Sequence, residues 1–150
     1  MSISTVCTAI AAIAANVKGI TSAKDPGTPK LDTAQLPALF VLTGPATYEW
    51  FGDYGIETRQ YRLQVAVLPC DQGQSGQQEA RCRPLLVAVR DAFAARPGLN
   101  GVLDVLGVRE ASVMQDSGII VLSTYDQTFW GFEVRVQVKE TIGRTYADGN

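Results

Sequence analysis

Histidine is missing from all 150 residues. Its absence removes the commonest general base, the commonest metal ligand, and both the Ser-His and Cys-His nucleophile pairs. Cysteine is scarce: Cys7, Cys70 and Cys82 form an odd set without Cys-x-x-Cys spacing. They read as buried thiols in a reducing compartment rather than a disulfide framework, with a Cys70–Cys82 redox pair as the lesser reading. Also absent are the phosphate loop G-x-x-x-x-G-K-[ST], the dinucleotide fingerprint G-x-G-x-x-G and the nucleophile elbow G-x-S-x-G. No apolar run is long enough to span a bilayer, and "MSISTVCTAIAAIAANVKG" has no basic segment ahead of its apolar stretch. The expectation is a soluble protein made in the cytoplasm, with no membrane partner. A strong excess of one charge is missing too: the formal charge is −2 and the pI about 5.1. That balance argues against gripping nucleic acid as the main task, although nine of the thirteen basic residues are arginine and leave room for a local basic patch.

What is present is ordinary globular material, 46% hydrophobic and 19% charged. A chain of this length buries roughly 70% of its unfolded surface, so one domain over residues 1–150 is expected without staples. Ile3, Val6, Cys7, Ile10, Ile13, Ala14 and Val17 recur at helical spacing, after Ser2 or Ser4 as N-cap and before Lys18-Gly19 as the stop. The Pro- and Gly-studded stretch 18–37 predicts a connector. "ALFVLT" (38–43), ended by Gly44-Pro45, and the alternating "RQYRLQVAV" (59–67) predict strands. Between them, Asp53 to Gly55 reads as the centre of a hairpin tip. A second helix begins near Gln77 or at Pro84, carries Leu86, Val89 and Phe93 as its stripe beside Cys82, Leu85 and Ala92, and stops at Pro97-Gly98. Three strands follow, at 104–116, 118–125 and 129–141, set apart by Asp-Ser-Gly and Tyr-Asp-Gln-Thr turn signals. In the last, Phe132, Val134, Val136 and Val138 share one face, and Glu133, Arg135, Gln137 and Lys139 the other. The expected class is α+β: a mainly antiparallel sheet with two helices on one face and a flexible tail at 142–150.

Chemistry has little to work with. The carboxylates are scattered over turns and polar strand faces, with no spacing that pairs two for acid–base work. "GQSGQQE" lacks the lysine of a phosphate loop and reads as a linker. No catalytic residue, metal site or cofactor is therefore expected. The aromatics are more informative. Tyr48, Trp50, Phe51 and Tyr54 crowd one turn, and Tyr125, Phe129, Trp130 and Phe132 another, each with a glycine and ahead of Arg-x-Gln-Val or Arg-Val-Gln-Val. Alternation puts Tyr48 and Trp50 on one face and Phe51 on the other, so they cannot share one core. Trp50, Phe51, Tyr54, Phe129 and Trp130 are candidate subunit or partner contacts, because Trp and Tyr supply most hot-spot energy. Arg62 and Arg135 join them as side chains able to fork onto carboxylates.

The amphipathic first helix, the Pro-rich connector, "ALFVLT", "YRLQVAVL", the helix ending "AFAARPGL" and the closing "FWGFEVRVQVKE" together resemble the tail terminator (tail completion) proteins of long-tailed bacteriophages, siphophage type. The resemblance runs from about residue 3 to residue 141 and rests on architecture and pattern rather than on a short motif. It implies a virion structural protein, made in the bacterial host, that forms a homo-hexameric ring on the head-proximal end of the tail tube. There it stops tube polymerisation and meets the tail tube protein and the head–tail connector proteins, with DNA passing through the lumen. It implies no cofactor and no catalytic residue. The alternatives are another small head–tail junction protein and, less favoured, a small-ligand-binding α+β domain using Arg62 or Arg135.

Overall fold

A computed structural model describes residues 2–23, 35–70, 76–96, 108–124 and 127–143. Most of the expected connector (24–34), residues 97–107 and the tail beyond Gly143 lie outside the described residues. Among the described residues the architecture is α+β, with two helices and a six-stranded, mostly antiparallel sheet.

Helix α1 (Ser2–Ala15) forms where the 3.6-residue stripe runs, burying Val6, Ala9, Ile10, Ile13 and Ala14. The chain leaves it through Gly19 at φ 104°, where an added Cβ would lie 2.9 Å from Leu85 Cδ2. A two-residue strand, β1 (Ser22–Ala23), then pairs parallel to Ala38–Leu39. No periodicity signals a strand this short.

Strand β2 (Ala38–Phe51) does not stop at Gly44-Pro45, as the sequence predicts. It shifts register there through a bulge between Thr43 and Ala46 and continues to Phe51. Pro45 is tolerated because it falls within the bulge, outside the β2–β3 register, and no described strand pairs the other edge of β2 beyond Leu39, so its missing N–H costs no ladder bond. The hairpin turns at Gly52-Asp53, one step earlier than expected, with Gly52 at φ 76° in the first central position. Strand β3 (Tyr54–Pro69) returns along β2 and pairs on its other side with β6 (Gln127–Gly143) over nearly its whole length.

The second edge of β6 is shared in tandem. Strand β4 (Val108–Asp116) covers its later half and β5 (Ile120–Thr124) its earlier half. The Asp-Ser-Gly signal between them is therefore a kink in one course rather than a chain reversal. Ser117 N donates to Glu133 O and Glu133 N to Ser117 Oγ, both at 2.9 Å, carrying the ladder across the break. Gly118 takes φ 69° and donates to Asp116 Oδ1.

Helix α2 (Gln77–Ala94) begins at the earlier of its two expected starts and keeps Pro84 inside. Cys82, Leu85, Val89 and Phe93 are its buried stripe, with Leu86 only half-buried. Both helices cover the sheet face formed by Leu39, Val41, Tyr61, Leu63, Val65, Val67, Phe132, Val134, Val136 and Val138. The three cysteines are free, and burial pushes the Cys82 thiol up to about 11.

Phe132 is fully buried at the centre of this face, whereas Val121 is about half exposed. Phe132→Ala is expected to cost about 3–5 kcal/mol in urea unfolding. Val121→Ala should stay within about 0.5 kcal/mol of the parent.

Candidate subunit interface

Beyond Thr43 the sheet runs on past the helices as four strands: 46–51 of β2, 54–59 of β3, 138–143 of β6 and the start of β4, 108–111, paired to 138–140. Cys7 Sγ, 4.0 Å from Thr43 Oγ1, marks where α1 meets this boundary. The end of the extension carries four of the six exposed large hydrophobics among the described residues: Tyr48, Trp50, Phe51 and Tyr54, each 44–49% exposed. Strand alternation sorts them into two stacks. On the helix side, Tyr48 and Trp50 lie nearly parallel, centroids 6.2 Å apart. On the other side, Phe51 and Tyr54 stack at 5.4 Å across the turn. Trp50 lies over Gly55, its cross-strand partner, where a Cβ would come 2.6 Å from the indole. Only glycine leaves room for the ring there.

A polar clamp holds the extension in shape. Arg59 donates through Nε to buried Glu57, through Nη1 to Gly44 O at 3.0 Å, and through Nη2 to the Tyr48 hydroxyl at 2.7 Å. One guanidinium thus ties the bulge carbonyl, a buried carboxylate and the first ring of an exposed stack. The Arg59 side chain is 14% exposed. In the sequence it looks like any solvated strand arginine. Its role emerges only once the bulge brings Gly44 and Tyr48 beside it.

A second charged group lies on the sheet face the helices leave open. Arg62 and Arg135 are direct cross-strand partners, a like-charge pairing that costs stability unless something lies between them. Glu133 does so. It is 7% exposed and accepts from Gln64 Nε2 and Arg135 Nε, each at 3.0 Å. Arg62 Nε lies 3.1 Å from Glu133 Oε1 with its N–H misaligned for a hydrogen bond, so that contact is ionic. Burial pushes the Glu133 carboxyl up, but the Gln64 and Arg135 hydrogen bonds and the two guanidinium charges outweigh it and hold it below its ordinary range. Two polar depressions of about 210 and 150 Å³ flank the group and share Gln115 and Arg135.

The expected contact residues therefore divide. Trp50, Phe51 and Tyr54 come together at the tip, and Arg62 and Arg135 meet on the open face. Phe129 is 1% exposed and packs with Ala38 and Ala66 in a small second cluster, so it presents no surface. Trp130 is half-buried against the main core. The second aromatic turn differs from the first because β6 has neighbours on both sides there, β3 and β5. Its glycine differs too: a Cβ on Gly131 would lie 2.0 Å from Val65 O, so Gly131 serves close strand approach. Tyr48, Gly55 and Arg59 belong to the site although the sequence does not mark them as contact residues. The Tyr48-x-Trp50 spacing was their one legible signal.

Burying four half-exposed rings removes on the order of 300–400 Å² from water, a gross gain of about 8–10 kcal/mol. Association costs of similar size leave such a patch adhesive but marginal alone. Among the described residues, no three His, Cys, Asp or Glu side chains converge as metal ligands, and no helix is long and apolar enough to cross a membrane.

Because Glu133 is held below its ordinary value near 4.5, its contribution to stability is complete above that pH. It is lost as the pH falls through the lowered value. Glu133→Gln should cost about 1–3 kcal/mol at pH 7 in urea unfolding, and the gap to the parent should narrow below pH ~4.5. Compared with known proteins, the chain matches no protein-family model and no curated protein.

Proposed function

We propose that this protein is a virion structural subunit that closes into a ring, six copies by the resemblance, on the head-proximal end of a phage tail tube. There it ends tube growth and presents a surface to the head connector. The observation that carries the reading is the exposed pair of aromatic stacks at the end of the sheet extension, clamped in place by Arg59. Apolar rings held rigidly in water lower the ordering cost of association, which suits a part whose work is docking. The tail tube protein and the head connector are the partners on this reading, and the chain catalyses nothing. The polar depressions beside Arg135 favour a second reading, a small anionic ligand held on the open face.

Size-exclusion chromatography with light scattering, alone and with purified tail tubes, tests the first reading. A ring, or capture on tube ends, is expected. A protein that stays monomeric and ignores tubes overturns it, and a thermal shift with small anions would then favour the second reading. Trp50→Ala should weaken assembly at least tenfold and shift the subunit's unfolding by less than about 1 kcal/mol. Trp130→Ala should do the reverse, destabilising the subunit by about 2–4 kcal/mol through lost packing.

A further inference from the structure

The aromatic tip and the open sheet face are complementary in charge and cannot meet within one copy. The tip carries Glu49 and Asp53, both exposed and in no ion pair among the described residues. Of the other carboxylates in the extension, Glu57 is neutralised by Arg59, and Glu140 lies opposite Glu57 on β6. The open face carries Arg62, Arg135 and exposed Lys139 against Glu133 and the exposed Asp116, which lines the depression beside Glu133 and Arg135. Both arginines engage Glu133 through Nε and make no other ion pair or hydrogen bond among the described residues, so their terminal amino groups stay available. Gln60 and Gln137, directly paired across β3 and β6, continue the polar floor beside them.

Tyr54 and Arg62 lie eight residues apart on β3, a strand held between β2 and β6. At the rise of an extended chain that separation is roughly 26 Å. A rigid strand cannot fold its end back onto its own middle, so any meeting of the tip with Arg62 or Arg135 is between molecules; Lys139, opposite Thr58, lies about halfway between them.

From this we infer that the tip of one copy docks on the open face of the next. Glu49 and Asp53 face Arg62, Arg135 and Lys139, and the Phe51–Tyr54 stack lies against the guanidinium planes and the glutamine row. The inference rests on the ring-forming reading and names the contact that would close the ring. Two different patches of each subunit meet, which is the heterologous arrangement that generates a ring when the rotation closes. Arginine suits the receiving side, since its plane accepts both a carboxylate and an aromatic face. The electrostatic term supplies register and selectivity that four rings alone lack.

A mixing experiment tests this with full-length chains. The tip variant combines Phe51→Ala with Asp53→Lys. The face variant is Arg135→Glu, and if circular dichroism shows it misfolded, Gln137→Glu with Lys139→Glu alters the same face without touching Glu133. Each variant alone should self-associate at least tenfold more weakly than the parent. Mixed one to one, each supplies the patch the other lacks. A heterodimer should form at concentrations where both are monomers, and it should not grow. A tip variant that forms rings as well as the parent overturns the contact. So does a folded pair that gives no heterodimer, or a tip variant that keeps its rings but loses only tube-end binding, which would assign the tip to the tube protein. A parent chain that never associates overturns the ring-forming reading itself, a result distinct from these.

Discussion

The β3–β6 ladder is the constraint on which everything else in this protein depends. These are the two longest strands, and they lie side by side near the middle of the sheet. Their register places Tyr61, Leu63 and Val65 beside Val136, Val134 and Phe132 on one face, and Arg62 and Gln64 beside Arg135 and Glu133 on the other. A slip of one residue would exchange the two faces, burying the charges and exposing the core. Gly131 helps fix the register, because any side chain there would run into the Val65 carbonyl. Both helices, the tandem β4–β5 edge and the charged open face take their places from this pairing.

The sheet also controls how it can associate. The outer edge of β2 bears Pro45 and a bulge, two devices that discourage another chain from adding a strand. Association by backbone pairing is thereby disfavoured along that stretch. What remains for contact are side-chain patches at fixed positions, the clamped aromatic tip and the arginine-bearing face. Side-chain patches set a defined partner geometry, whereas an open edge would accept any extended segment.

Much of this was legible in the residues because it follows from period alone. The 3.6-residue stripe of α1 and the alternation of 61–67 and 132–138 each identify their buried face without reference to the rest of the chain. Features set by long-range register were not legible. Strand β1 exists because Thr21 and Ser22 reach back to Pro37, not through any pattern of its own. Gly44-Pro45 reads as a terminator, yet becomes a bulge once β3 supplies a partner on the far side. Phe129 and Trp130 look like a twin of Phe51 and Trp50, but burial depends on how many strands flank a position. Local sequence does not encode that number.

The division of labour along β3 follows from the same geometry. Its inner half, Tyr61 to Leu68, contributes five core side chains, Tyr61, Leu63, Val65, Val67 and Leu68. Its outer half, Tyr54 to Arg59, contributes Gly55 beneath Trp50, and Glu57 and Arg59 as the clamp. One continuous ladder joins the halves, so the rigidity that core burial gives to the strand is transmitted to the tip. In the proposed ring, looseness at each contact would add up from copy to copy, and a floppy tip would let the rotation between neighbours drift instead of closing. Placing the adhesive rings at the end of the strand that also anchors the core removes that freedom, with Arg59 fixing the last joint between the two.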